Sequence, residues 1–445
     1  MAVFDVARRS DAVAAADACR TALAARWPYA RAVVESLEPL DRAILQSERR
    51  RWPMLMHLEL LVDGAVDPEL LTTRLAALCA RTPRLAARLE VGSWSTPATW
   101  IPAARPTVRR WSVKPDDLDR ARSRWISVPI DLRRSAGLEV SVLDDDTGHT
   151  RVMMRAHHGV LDGQSLAWVA RSLADGHPQR DDSPVAQPRS EAATATGGLG
   201  ALRRVAFPGR PDRLVSERGP AGDAQGYGIT NATIDAADAA SLDDAAARLG
   251  VRVNDVLVAG VHLACAAWND RLGHESGVVR VTVPFSLRRD DTFAIGNAAS
   301  QVATVSTGAV RSDPDGLVRS VAEQIATARR RAEPDPIPWV PALSRLPLTV
   351  GSLATRVGSA LSGHAFLDTT RLSNLGRLPP LEIDRAPVVG AWFSPPTRLP
   401  QGAAIGVVRY GASIGMSVRW CAESWDGASA SSLAALSIDR VGDLT

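Results

Sequence analysis

Lysine is almost absent from this 445-residue chain: Lys114 stands alone, and every other side chain among its 52 lysines and arginines is arginine. A lysine nucleophile or Schiff base is thereby nearly excluded. A large charge of either sign is also missing. The formal net charge is only +3 and the arginines are scattered, which argues against a nucleic-acid footprint. The short arginine runs at 49–51 and 329–331 sit in helix-like or turn-like contexts and read as solvated faces. Cysteine is scarce, and Cys19, Cys79, Cys265 and Cys421 lie too far apart for a thiolate metal site or a disulfide framework. No run of about 18 apolar residues occurs, and the opening stretch lacks the basic-then-apolar order of a secretory signal. The expectation is a cytoplasmic protein with no membrane span and no nucleic-acid partner.

What is present is ordinary for a folded protein, 45% hydrophobic and 23% charged, and the length suggests two or three compact units. In "PMLMHLELLVDG" Met54, Met56, Leu58, Leu60 and Val62 share one face while His57 and Glu59 take the other, the period of a largely buried strand. A helix follows, with Asp67 as N-cap and Pro68 at its first position. "LEVSVLDDDTGHTRVMMRAHH" gives two strands around turn residues. From 181 to 225 the chain is rich in Pro, Gly, Ser and Ala and reads as a crossover. Beyond it come a well-buried helix capped by Asn254, in which Gly260 admits a close neighbour, a strand ending in arginines, and three further strands. The fold class is therefore α/β with mixed sheets, divided into 1–180, a 181–225 linker and 226–445.

"MRAHHGVLDGQSLAW", residues 154–168, carries the chemistry. Alternation along a strand puts His158 on the face of Val152, Met154 and Ala156, and His157 with Met153 and Arg155. Two rings pointing apart do not share a metal ion, so no metal site is expected. A single imidazole suffices for proton transfer near neutral pH. A helix starting just beyond Gly163 would bring free N–H groups close to it, and Gly163 itself would admit a close approach. Read from these residues alone, a hydrogen-bonded core histidine stands beside the catalytic reading.

Rival nucleophiles fare worse. Ser413 in "GASIG" fits Gly-x-Ser-x-Gly but lies in a turn between strands, whereas a nucleophile elbow needs a strand followed by a helix. Cys265, three residues after His262, sits in an apolar stripe and reads as inert. Ser165 in "LDGQSL" superficially matches a phosphopantetheine attachment serine, yet it directly follows the histidine segment and reads as a helix N-terminal serine. Ser373 and Asn374 in "SNLG" are read equally as oxyanion donors or as a strand-end turn. His57, His149, His177, His274 and His364 have no partner motif. Trp168 and Trp392 could shape an acceptor pocket, with core packing as the default.

"HHGVLDG" matches the HHxxxDG motif, and the chain resembles the condensation-domain and CoA-dependent acyltransferase superfamily over most of its length. "LEPLDRAIL" is similar to that family's N-terminal Leu-x-Pro-x-(Asp/Gln) opening, and "LLTTRLAALCARTPRLAARLE" to its early helix and turn. "PIDLRRSAGLEVSVL", "VNDVLVAGVHLACAAW", "VPFSLRRDDTFAIGN" and "SNLGRL" resemble its further segments. The resemblance implies two chloramphenicol-acetyltransferase-like lobes with an active-site tunnel between them. It implies His158 as the catalytic histidine, His157 as its structural neighbour, and Asp162 paired with Arg288 or, as the alternative, Arg289. The Gly296-Asn297 pair would be a turn supporting the active-site strand. The implied reaction is direct acyl transfer from acyl-CoA or a phosphopantetheinyl carrier thioester to a hydroxyl or amine of a small-molecule acceptor. The thioester is a cosubstrate, no bound cofactor is implied, and an acyl or peptidyl carrier protein is the possible partner. Since no adenylation or carrier segment is recognisable, a free-standing enzyme of specialised-metabolite or lipid biosynthesis is expected. A non-catalytic recruiter of carrier proteins, or an enzyme of cyclisation or dehydration acting on a tethered intermediate, are the alternatives.

Overall fold

In the computed structural model, residues 35–93, 97–102, 106–144, 147–176, 211–217, 225–288, 295–330, 346–361 and 368–445 are described. The first half forms β1 (Glu35–Ser36), α1 (Pro39–Ser47), β2 (Leu55–Val62), α2 (Pro68–Arg81), β3 (Ala87–Glu90), β4 (Thr99–Pro102), β5 (Thr107–Ser112), α3 (Leu118–Ser127), β6 (Leu138–Asp144), β7 (Thr150–His157) and α4 (Gly163–Leu173). The second half supplies β8 (Tyr227–Ile234), α5 (Ala236–Leu249), α6 (Val253–Arg271), β9 (Val278–Ser286), β10 (Ala299–Thr307), α7 (Pro314–Arg330) and α8 (Leu348–Leu361). It continues with β11 (Thr370–Leu378), β12 (Glu382–Ile383), β13 (Ala386–Ser394), β14 (Ala403–Tyr410), β15 (Ser413–Cys421) and α9 (Gly427–Gly442).

Two six-stranded sheets organise these elements, in the orders β12–β13–β2–β7–β6–β5 and β10–β9–β11–β14–β15–β8, with a small β1–β4–β3 sheet beside them. Both large sheets are mixed: β5 runs parallel to β6, and β11 parallel to β9 and β14, while the other pairs are antiparallel. Each sheet has its own core. Leu58, Val140, Met154 and Leu166 belong to the first, and Val261, Val281, Ile405 and Leu433 to the second.

The halves do not separate at residue 226. β12 and β13 come from the second half yet extend the first sheet, with β13 pairing against β2 in the register Trp392 to Glu59. Two glycines make room for that crossing. A Cβ at Gly406 would sit 2.0 Å from the Phe393 carbonyl oxygen, and one at Gly415 would sit 1.9 Å from that of Ala391, so β13 lies backbone to backbone over β14 and β15. The 226–445 stretch thus contributes two strands, β12 and β13, to the sheet of the first half. Of the 181–225 crossover only 211–217 and 225 fall within the described residues.

Local reading and structure also part at two helix starts. α6 is capped by Arg252, not Asn254, because the Asp255 carboxylate reaches back to the Arg252 N–H at 3.0 Å. α4 begins at Gly163 itself, with Asp162 as N-cap. His57 and Glu59 lie on the second face of β2, and that face is buried too. Helix α3 covers it: Trp125 meets His57 edge-on at 5.9 Å between ring centroids, and Arg122 donates to Glu59 at 2.7 and 2.8 Å.

A Cβ at Gly260 in α6 would lie 2.3 Å from Val441 Cγ2 and 3.0 Å from Val441 Cα in α9. Gly260→Ala is therefore expected to lose stability, about 1–3 kcal/mol from overpacking against a helix-propensity gain of about 1 kcal/mol. A lower denaturant midpoint for the variant checks this; a higher one contradicts it.

Burial holds the His57 imidazole at a pKa of about 3, with the Glu59 carboxylate opposing, and burial does the same at His262, again to about 3. Both rings are neutral when folded but take up protons below about 6.5 when unfolded. The unfolded state therefore binds more protons across that window, and stability falls as pH drops below 6.5 toward 3. Moving from pH 7.5 to 5.5 is expected to cost roughly 3 kcal/mol for the pair. Urea denaturation at the two pH values measures it, and equal stabilities would contradict the assignment.

Candidate active site

β7 is an inner strand held between β2 and β6, and it delivers both histidines at its end. The His157 N–H donates to the Gly137 carbonyl and the His158 N–H to that of Met54, each at 2.7 Å. The two rings then turn to opposite sides.

His157 is fully buried. Its Nδ1 accepts from the Gly159 N–H at 3.0 Å, and its Nε2 lies 2.9 Å from Glu48 Oε1. The ring proton is thus on Nε2, both nitrogens are occupied, and no lone pair is left for a metal ion. Glu48 also accepts from the Met54 N–H at 3.1 Å, which ties the end of α1 to the start of β2. Burial works to raise its pKa, yet His157 and that N–H hold the Glu48 carboxyl below the ordinary value.

His158 is half-buried. Its Nδ1 lies 3.2 Å from the Leu161 carbonyl and 3.2 Å from Asn297 Oδ1. Two oxygens can only accept, so Nδ1 carries the proton and Nε2 keeps a free lone pair. Burial pulls the ring's pKa below its ordinary value; the Asp162 carboxylate opposes this and the Arg371 guanidinium adds to it. A neutral imidazole with an available Nε2 is the form a general base requires at neutral pH.

Asp162 and Arg288 lock the surroundings. Arg288 Nη1 donates to Asp162 Oδ2 at 2.6 Å, and its Nη2 reaches Ser165 Oγ and the Gly296 carbonyl, both at 3.0 Å. Asp162 further accepts from the Ser165 N–H at 2.9 Å and the Ala298 N–H at 3.0 Å. The pair is 4% and 8% exposed and joins the two halves. Arg288 is the aspartate's partner among the described residues; Arg289 lies outside them. Ser165 is fully buried by the same contacts, its Oγ 2.9 Å from the Gly296 carbonyl, which leaves no hydroxyl for a phosphopantetheine attachment. At Gly163 a Cβ would stand 3.1 Å from Leu375 Cδ1 and 3.4 Å from Phe393 Cζ, so the close neighbours there are side chains of β11 and β13.

Ser373 and Asn374 lie on β11, half-buried. The Asn374 amide donates to Asn254 Oδ1 at 3.1 Å and accepts from the Gly376 N–H at 2.8 Å, which fits the turn reading. Gly376 has φ +82° beside a register shift in the β11–β14 pairing.

Neither Ser413 nor Cys265 has a base hydrogen-bonded to it among the described residues. Ser413 opens β15 across a tight hairpin from Tyr410. Burial pushes the Cys265 thiol up to about 12, and His262 gives its nitrogens to Thr304 and Ser306 hydroxyls, both at 2.9 Å. Trp392 Nε1 donates to the Ala232 carbonyl at 2.9 Å, and Trp168 packs on the first core. His274 is exposed, His149 stands 3.6 Å from Asp63, and His177 and His364 lie outside the described residues.

Sequence reasoning missed Glu48, Arg371 and Arg398. Burial lowers the pKa of both arginines, Asp368 opposes this, and they face each other unfavourably. Nothing local marks Glu48 as a histidine partner, Arg371 sits in a strand of alternating burial where an arginine reads as solvent-facing, and Arg398 lies in the loop after β13, which has no period to read.

No family model and no curated protein sequence matches the chain. Solved structures do. The first condensation domain of the CDA synthetase is similar at a TM-score of 0.66 and 16% identity, covering 93% of this chain and 96% of that one. The wax ester synthase/diacylglycerol acyltransferase from Marinobacter aquaeolei VT8 matches at 0.61 and 14%, covering 92% and 98%. The SgcC5 protein from Streptomyces globisporus matches at 0.61 and 14%, also covering 92% and 98%. Mixed sheets, the shared β13 and this end-to-end overlap together place the chain in the two-lobed condensation-domain fold, the fold also of the wax ester synthase/diacylglycerol acyltransferase.

Proposed function

We propose that the chain is a condensation-type acyltransferase, moving an acyl group from a CoA or carrier-protein thioester to a hydroxyl or amine. The observation that carries this reading is the His158 ring, whose Nδ1–H is committed to two oxygens while Nε2 makes no hydrogen bond among the described residues. The acceptor's proton passes to Nε2 as its oxygen or nitrogen attacks the thioester carbonyl. The tetrahedral oxyanion collapses, the C–S bond breaks, and the leaving thiolate takes the proton back from His158. No acyl-enzyme forms and no resident cofactor is needed, because the thioester is a cosubstrate. Ser373, whose side chain is half-buried on β11, is the favoured oxyanion donor, since the Asn374 amide already has two partners.

Two similar structures set the order of trials for the acceptor. One is named for wax ester synthesis, and another was solved with (R)-(-)-1-(2-naphthyl)-1,2-ethanediol, so alcohols come first and amines second. A four-domain nonribosomal peptide synthetase is also similar over 93% of this chain and 33% of its own, which supports a carrier protein as one source of the donor. The test is thiol release from acyl-CoA, acyl-pantetheine and acyl-carrier donors with each acceptor class. Acceptor-dependent release is expected; release that ignores the acceptor would make the chain a thioester hydrolase, and none from any donor would turn the reading toward a recruiter of carrier proteins.

A further inference from the structure

We propose that Asp41 is a positioning residue for His158: through the Asn297 amide it fixes which imidazole nitrogen carries the proton. The inference rests on the reading of His158 as a base. Asp41, in α1, is fully buried. Its Oδ2 accepts from Arg84 Nη2, from Trp100 Nε1 at 3.2 Å and from the Glu38 N–H at 3.3 Å. Its Oδ1 accepts from Asn297 Nδ2 at 2.8 Å, and that nitrogen also faces the His158 carbonyl at 2.7 Å. Neither of these oxygens can donate, so the amide has only one workable orientation. Its Oδ1 is forced toward His158 Nδ1, 3.2 Å away, where it can only accept.

Polarity therefore runs one way, from a buried carboxylate through a neutral amide to the ring. A carboxylate in the place of Asn297 would also orient the ring but would favour its charged form. The amide keeps the orientation without adding that charge. Asp41 belongs to the first half and Asn297 to the second, so the ring is set only when the two halves are docked. The Leu161 carbonyl is a second acceptor for the same ring proton, which bounds the expected effect.

Asp41→Asn tests the relay at constant shape. Arg84 and Trp100 can only donate, so they claim the oxygen of the new amide and turn its NH₂ toward Asn297. The Asn297 amide is then pulled two ways, toward accepting from the new NH₂ and toward keeping its own NH₂ on the His158 carbonyl, so a flipped population appears whose NH₂ faces His158 Nδ1 and the ring proton is shared with Nε2. The readout is the ¹⁵N spectrum of the His158 ring in the folded chain, with kcat and donor KM measured alongside. Wild type is expected as the Nδ1–H form. Asp41→Asn is expected to populate Nε2–H and to lose roughly 10- to 100-fold in kcat, part of the range general base catalysis supplies, at unchanged donor KM. If that variant does not fold, Asn297→Ala is the second arm, with a mixed tautomer and a similar loss expected.

A wild-type ring protonated on Nε2, or a folded variant that keeps Nδ1–H and full kcat, overturns the proposal. A tautomer shift in a protein that transfers no acyl group leaves the positioning intact and sinks the acyltransferase reading. Transfer with an unmoved tautomer does the reverse.

Discussion

His158→Ala is expected to lower kcat for acyl transfer by roughly 10²- to 10⁴-fold while the chain stays folded. The ring's only described hydrogen bonds are from Nδ1, to the Leu161 carbonyl and Asn297 Oδ1 at 3.2 Å each. Its strand is held by backbone bonds that the substitution keeps, including the one to Met54 at 2.7 Å. Loss of activity without loss of the urea midpoint separates this variant from a misfolded one. The wild-type pH profile carries a second signature. Burial, aided by Arg371, holds the His158 pKa below its ordinary value, so kcat/KM should be flat through neutral pH, with its acid limb below about pH 6.5. A limb centred above 7 would contradict the neutral, desolvated ring described above.

Truncating either member of the Asp162–Arg288 pair is expected to cost roughly 3–5 kcal/mol, the usual penalty for leaving one buried charge uncompensated. The geometry supports the upper part of that range. Arg288 bonds Asp162 at 2.6 Å and two further oxygens at 3.0 Å, and Asp162 caps α4. Removing Arg288 leaves the Asp162 carboxylate without its counter-charge in the seam between the halves, while Ser165 Oγ and the Gly296 carbonyl keep each other at 2.9 Å. Replacing both members by apolar residues, as in Asp162→Leu with Arg288→Met, should recover part of the loss because no charge is then left behind. Denaturation of the four proteins of the cycle decides it. Small, additive losses would show the pair to be a surface contact in effect.

Much of this site was legible because its signal is local. The strand alternation of "VMMRAHH" and the turn before α4 are set by neighbouring residues, so His157 closes β7 and Asp162 precedes α4, while the roles given to His158, Asp162 and Arg288 rest on the resemblance. Cys265 and Ser413 could be set aside for the same reason, one in an apolar helical stripe and the other in a hairpin. What escaped the reading depends on distant partners. β13 looks like an isolated "VVGAWFS", and its place beside β2 comes from the crossing over Gly406 and Gly415, which no local period records. His57 and Glu59 alternate as an exposed face would, but α3 returns to cover them with Trp125 and Arg122. Asn254 reads as a cap by residue type, but the helix starts one residue before it, where the Asp255 carboxylate accepts from the Arg252 N–H, and the Asn254 side chain accepts from Asn374 instead. The Asn297 contact was readable only as a turn, since its partners lie at Asp41 and His158.

The central claim is that the lone pair on His158 Nε2 takes the acceptor's proton as the acyl group leaves its thioester. The most direct test follows a labelled acyl group from a thioester donor into product by mass spectrometry, counting thiol released alongside, for wild type and His158→Ala at pH 7.5. The account predicts one thiol per acylated acceptor in wild type, no acyl group on the protein, and at least a hundredfold slower transfer by the variant. Equal rates in the two proteins, or an acylated chain on the path to product, would contradict it.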